Sequence, residues 1–265
     1  MSFRLIALDV DGTLINDQHE VTPRVRDAVR AAAAQGVEIV LCTGRGSTSA
    51  LPVLAELGLE GTMITHNGAS IVDSATKAIL AETEIPAALA RRYVDFAKAR
   101  GIHYDMNTAF ELYVETMEDH VALMYESMFA LPIARSEAEG FPEGMVKMSL
   151  FADKESLDQL EEAWGDWQHD LQTVRSGDYF IDVQHPNASK GAALEQLATL
   201  RGISRDQILA IGNYYNDVGM LTFAGWGVAM DNSPEDVKAL ADEVTVSNNE
   251  DGVALIIEER VLNRK

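Results

Sequence analysis

A single cysteine, Cys42, stands in 265 residues. One thiol cannot close an intramolecular disulfide or build a cysteine-based zinc cluster, so a reducing compartment is the natural setting. Positive charge is scarce as well: 21 Lys and Arg face 42 Asp and Glu, a formal net charge of −21. Such a surface repels polyphosphate backbones, which argues against unaided binding to DNA or RNA. Any anionic ligand must be held by a local exception. Long apolar runs are missing: the stretch from Phe3 to Leu8 meets Asp9, and no later stretch approaches the roughly 18 apolar residues that a bilayer demands. The expectation is a cytoplasmic protein outside any membrane. No low-complexity tract or convincing repeat occurs, and with 47% hydrophobic and 24% charged residues the composition is that of an ordinary globular chain. At roughly 150 residues per domain, the length fits one large α/β domain or a core carrying an inserted second domain.

What is present alternates. Phe3 to Leu8 reads as a strand buried on both faces of a parallel sheet. Thr22 and Pro23 then read as a cap and first helical position, with Val25, Val29 and Ala32 at helical spacing until Gly36. Residues 37–41 return as a second strand, and helix 47–57 and strand 62–65 continue a βαβ rhythm. The same rhythm reappears at the other end, with helix 190–201, strand 207–211, helix 217–223, strand 226–229 and helix 234–241 behind Ser233 and Pro234. Between the two ends the texture changes. Aromatic and Met-rich stretches at 103–114 and 145–151 alternate with amphipathic segments 87–100, 118–129 and 154–168. The expected architecture is therefore a Rossmann-like parallel sheet core, residues 1–82 and 183–265, with an inserted α+β unit at 83–182. Its hinges are expected near Glu84-Ile85-Pro86 and between Asp182 and Pro186.

Four short segments fall where parallel strands end, which is where this architecture opens a ligand crevice. Asp9-Val10-Asp11-Gly12-Thr13 follows the first strand and offers two carboxylates and a backbone carbonyl, hard oxygens of the kind that suit Mg²⁺. Thr43-Gly44-Arg45 closes the second strand just before a helix begins, so a hydroxyl, exposed amides and the positive helix end can bind a phosphate oxygen. Lys190, in Ser189-Lys190-Gly191, starts the helix after the insertion and can neutralise a phosphoryl group and the attacking carboxylate. Gly212-Asn213-Tyr214-Tyr215-Asn216-Asp217 ends a further buried strand with three amide or carboxylate side chains, Asn213, Asn216 and Asp217. His66, His103, His120, His169 and His185 lack the close helical spacing of a metal pair, and His19 lies in the loop after the first of these segments, where it could face the crevice. Tyr104, Phe110, Tyr113, Tyr125 and Phe129 are expected in the core of the inserted unit.

In this order and spacing the four segments resemble the motifs of the haloacid dehalogenase superfamily. The insertion between the second and third motifs resembles the large α/β cap of the Cof-type phosphatases, and Asn67-Gly68-Ala69 also matches that subgroup. The resemblance covers nearly the whole chain. It implies a Mg²⁺-dependent phosphatase for small phosphorylated metabolites, such as sugar phosphates or phosphorylated cofactors, with the cap selecting the leaving group. Asp9 would be the nucleophile that forms an aspartyl-phosphate, and Asp11 the acid and then base, its pKa raised by acidic neighbours. Thr43, Gly44, Arg45, Asn67, Lys190 and Asn216 would hold the phosphate, with the Arg45 side chain alternatively paired to an acid. Asp9, Asp11, Asn213 and Asp217 would surround the metal.

One departure stands out. The fourth motif usually begins Gly-Asp, where this chain has Gly212-Asn213. An amide oxygen can still ligate Mg²⁺, but one negative charge is lost, and Asp217 is the expected compensation. Two alternatives stay open: a phosphomutase of the same superfamily, and a noncatalytic sensor of a phosphorylated metabolite. The sequence specifies no oligomeric state.

Overall fold

The computed structural model describes residues 3–127, 130–165, 167–175 and 178–263. The chain begins with β1 (Leu5–Leu8), α1 (Pro23–Ala34), β2 (Glu38–Cys42), α2 (Ser47–Glu56), β3 (Thr62–Thr65), β4 (Ser70–Asp73) and β5 (Ile79–Glu82). A second set follows: α3 (Ala87–Lys98), β6 (His103–Asn107), β7 (Leu112–Val114), α4 (Asp119–Ser127), β8 (Ile133–Ala134), β9 (Lys147–Phe151), α5 (Lys154–Trp164), β10 (Gln172–Arg175) and β11 (Phe180–Gln184). The chain then runs through α6 (Lys190–Arg201), β12 (Ile208–Gly212), α7 (Val218–Phe223), β13 (Trp226–Ala229), α8 (Glu235–Lys238), β14 (Glu243–Val244) and α9 (Gly252–Ile257). No helix among the described residues is long and apolar enough to cross a membrane.

Two compact units result: residues 1–81 with 189–265, and residues 82–188. The second junction lies six residues beyond the predicted 182/183. The cause is β11, whose Ile181 and Val183 are fully buried in the second unit's core, so the strand cannot serve as a hinge.

The first unit is built on an eight-stranded sheet of order β14-β13-β12-β1-β2-β3-β4-β5. β12, β13 and β14 run parallel to β1, β2 and β3, whereas β4 returns antiparallel beside β3. All four residues of β1 are buried. Leu5 and Ala7 pack with Leu194, Leu197 and Met220 of α6 and α7, while Ile6 and Leu8 are buried on the opposite face. Full burial of one Leu or Ile is worth about 1.5–3 kcal/mol, more than the ~1 kcal/mol span of strand propensities, so burial fixes this strand. The predicted cap of α1 is made, Thr22 accepting from the Val25 N–H at 3.2 Å, and α6 is capped by Ser189, which accepts from the Ala192 N–H at 3.1 Å. The predicted helix 234–241 is shorter, covering Glu235–Lys238.

The second unit has a six-stranded sheet of order β10-β11-β9-β6-β7-β8. Tyr93, Val94 and Ala97 of α3 and Leu157, Leu160 and Trp164 of α5 pack on one face, against Tyr104, Met106, Met148, Leu150, Ile181 and Val183. On the other face the alternate residues Asp105, Asn107, Lys147, Ser149, Asp182 and Gln184 are polar, with Phe151 and Phe180 in contact at one end. The predicted segment 118–129 is helical through Ser127; its last two residues, including Phe129, lie outside the described residues, as do residue 166 and the His120 side chain.

Candidate active site

The order of the first sheet places its topological switch point between β1 and β12, the two strands from which the chain proceeds in opposite directions. Parallel strands leave a crevice at such a point, beyond their carboxyl ends. Asp9 follows β1 there, Asn213 follows β12, and Thr43 follows β2 on the other side.

Lys190 ties the site together. Its Nζ donates to Asp9 Oδ1 and to Asp217 Oδ1, each at 2.6 Å, and its side chain is fully buried. A buried ammonium is costly unless it is paired and hydrogen-bonded. Burial alone would lower its pKa, but Asp9 and Asp217 outweigh that and raise it. The position is made possible by Gly191, where a Cβ would fall 2.5 Å from the backbone of Gly219. Only that close approach of α6 to α7 brings the first helical residue over the strand ends.

Asp9 is held above the ordinary carboxylate range, first by burial and then by Asp217, against the opposing pull of Lys190. Two buried carboxylates and one ammonium leave one negative charge without a direct partner. Asp217 also accepts, through Oδ2, from the backbone N–H groups of Asn213 and Tyr214 at 2.9 and 3.0 Å, so it shapes the loop as well as anchoring Lys190.

Around this ion cluster lie the candidate phosphate groups. Thr43 is fully buried, and its Oγ1 accepts from the Arg45 N–H at 3.0 Å. The Asn67 N–H donates to the Thr43 carbonyl at 3.0 Å, and Asn67 Oδ1 accepts from Asn216 Nδ2 at 3.0 Å. Gly44 leaves the space that Asn67 Oδ1 approaches; a Cβ at Gly44 would stand 3.0 Å from it. Thr43, Gly44, Asn67 and Asn216 thus form one continuous polar rim.

Residues 6–257 match the haloacid dehalogenase-like hydrolases. The chain belongs to that family. It is 37% identical to the protein YxeH of Bacillus subtilis over 98% of this chain and 99% of that one. It is 31% identical to the phosphatase YwpJ of the same organism, over 95% and 97%. A solved haloacid dehalogenase-like hydrolase from Bacteroides thetaiotaomicron superposes with a TM-score of 0.88 at 29% identity, covering 97% of this chain and 99% of that one. The resemblance carried by the four motifs is borne out, as is the Rossmann-like α/β fold.

Within this hydrolase, three site expectations need correction. Arg45 does not point its guanidinium at a phosphate position: Nε and Nη2 donate to Asp11 Oδ2 and Oδ1 at 2.9 and 2.5 Å. The same fork gives the half-exposed Asp11 carboxylate a cationic neighbour where acidic ones were expected. Asp217, expected to compensate for Asn213 at the metal, has both oxygens hydrogen-bonded, one to Lys190 and one to the loop amides. Among the described residues no group of three or more His, Cys, Asp or Glu side chains is arranged to hold a metal.

A sparser oxygen set remains. Asp9 Oδ2, the Asp11 carbonyl and the Asn213 side chain converge, with the Asn213 amide 3.0 Å from the first and 3.2 Å from the second. Mg²⁺ is commonly held by one or two carboxylates and completed by water and substrate oxygens, so this set and its excess negative charge fit Mg²⁺. They do not fit a thiol- or imidazole-seeking metal. Thr13, whose Oγ1 lies 3.3 Å from the Asn213 amide, belongs to the site and was not singled out by sequence. Its signal was its place one residue beyond Gly12 in the first motif.

Proposed function

We propose that this hydrolase is a Mg²⁺-dependent phosphatase of small phosphate monoesters that works through an aspartyl-phosphate on Asp9. The observation that carries the reading is the buried Asp9 carboxylate, fixed by Lys190 at one oxygen with its second oxygen turned toward the Asp11 carbonyl and Asn213. A fixed, desolvated carboxylate beside a buried cation is a prepared nucleophile.

In the first step an Asp9 oxygen forms a bond to phosphorus as the bond to the ester oxygen breaks. Asp11, once released from Arg45 and protonated, gives its proton to the leaving alkoxide. In the second step Asp11 takes a proton from water, the oxygen of that water bonds to phosphorus, and Asp9 leaves as carboxylate with inorganic phosphate. Lys190, Thr43, the amide of Gly44, Asn67 and Asn216 hold the phosphoryl oxygens throughout, supplying fixed donors where negative charge accumulates. Mg²⁺, held by Asp9 and the Asp11 carbonyl, would screen the repulsion between a phosphate dianion and the nucleophile. Arg45 controls Asp11 and is not a phosphate ligand in this scheme.

The test is a panel of sugar phosphates and phosphorylated cofactors, assayed with Mg²⁺ and again after chelation. Phosphate release that needs Mg²⁺ supports the reading. Substrate binding without turnover at saturating Mg²⁺ would replace it with the sensor reading, and turnover only with an added bisphosphate with the mutase.

A further inference from the structure

Asn213 stands where this chain departs from the usual fourth motif, and its amide satisfies its surroundings in one orientation only. With the nitrogen inward it donates to Asp9 Oδ2 at 3.0 Å and lies 3.2 Å from the Asp11 carbonyl and 3.3 Å from Thr13 Oγ1. In the structure the oxygen lies inward, where it accepts from the Thr13 hydroxyl at 3.3 Å but faces a carboxylate and another carbonyl, two acceptors that favour turning the amide when no cation lies between them. The backbone at this residue is pinned, since its N–H donates to Asp217 Oδ2 at 2.9 Å. The side chain is therefore the part free to turn. Gly12 leaves it the room: a Cβ there would overlap the Asn213 amide.

The two oxygens that bond this amide are the ones that Mg²⁺ would take. We propose that Asn213 is a positioning residue that competes with the divalent cation: in the metal-free protein its NH₂ group bridges Asp9 and the Asp11 carbonyl, and it gives way when the metal binds. This inference rests on the magnesium reading given above. The inward amide holds the nucleophile's second oxygen while Lys190 holds the first, so Asp9 is oriented before the metal arrives. The arrangement raises the metal requirement without adding charge. An aspartate at the same place would do the reverse, attracting the cation and repelling Asp9 in its absence.

The deciding experiment is calorimetric titration of Mg²⁺ into the metal-stripped full chain, wild type and Asn213→Ala, with melting temperatures taken in the same buffers. Removal of the competing donor should tighten Mg²⁺ binding about tenfold, the size of one hydrogen bond to a charged acceptor. The metal-free Asn213→Ala protein should also melt below the wild type. Equal or weaker Mg²⁺ binding by Asn213→Ala, with clear binding by the wild type, would make the residue a ligand or a bystander and overturn the proposal alone. No Mg²⁺ binding by either protein would overturn it together with the magnesium reading. If the Ala variant does not fold, the wild type suffices: the Asn213 NH₂ protons, assigned by NMR through their loss in Asn213→Asp, should be protected from exchange without metal and exposed at saturating Mg²⁺. Protection unchanged by the metal would overturn the proposal.

Discussion

Each of the two units holds a pair of buried aspartates with one lysine, and the two clusters are built differently. In the first unit Lys190 is fully buried and reaches Asp9 and Asp217 at 2.6 Å each. In the second, Asp105 and Asp182 flank Ser149 across three strands, and Lys147, partly open to water, stands 3.3 Å from Asp182. Neutral donors do the rest there. Asp105 accepts from the Tyr125 hydroxyl at 3.0 Å and from Asn107 Nδ2 at 2.6 Å, and Ser149 Oγ donates to Asp182 at 2.9 Å. One fully buried cation compensates the first cluster, whereas in the second a partly open lysine is joined by hydroxyl and amide donors. The first arrangement fixes a carboxylate through a charged donor at one oxygen; the second makes a fixed polar surface.

The sharpest break between the two is chemical. Asp9→Asn should lower turnover by at least about 10³-fold while the circular dichroism spectrum is unchanged, because an amide cannot attack phosphorus. Normal turnover would remove Asp9 from the reaction. Next comes stability. Lys190→Met strands two buried carboxylates and should cost about 3–5 kcal/mol in urea unfolding, whereas Lys147→Met, with neutral donors left in place, should cost about 1 kcal/mol. Equal costs would erase the distinction drawn here.

A pH comparison follows. Burial, opposed by Lys147 and the Tyr125 hydroxyl, pushes the Asp105 carboxyl up to about 6. A carboxyl whose folded pKa exceeds its unfolded one favours folding most when protonated. Its contribution is therefore complete below the unfolded value and is lost as pH rises through about 6. Wild type should accordingly gain on the order of 1–3 kcal/mol over Asp105→Asn as pH falls from neutrality toward 4. A pH-independent difference in unfolding free energy would show that Asp105 carries no such shift. The smallest effect is expected at Arg45, whose pair with Asp11 is 29% and 52% exposed at the side chains. Arg45→Gln should change unfolding free energy by less than about 1 kcal/mol, and a larger loss would make that pair structural.

Much of this was legible in the chain. Strands buried on both faces leave continuous apolar runs, so β1, β2 and β12 could be read locally, and the polar residues at their ends had to meet because parallel strands share one carboxyl edge. Asp9, Thr43 and Lys190 were found in that way. The antiparallel β4 and the two-residue β14 were not: β4 turns back beside β3 outside the βαβ rhythm by which the core was read, and two residues carry no periodicity. The junction at 188/189 was misplaced because the local texture of β11 matches a core strand as well as one of the inserted sheet.

The sequence by itself determined the family, the α/β core with its insertion, and the residue types gathered at the strand ends, because burial periodicity and motif order are local properties of the chain. Tertiary structure alone decided which atom each of those residues faces. Asp11 turns to Arg45, Asp217 serves Lys190 and its own loop, and the Asn213 amide comes to lie beside Asp9 and Thr13. Those choices depend on separations near 3 Å between groups up to two hundred residues apart. A hydrogen bond either forms or fails over a few tenths of an ångström, and no pattern of neighbours along the chain carries that information.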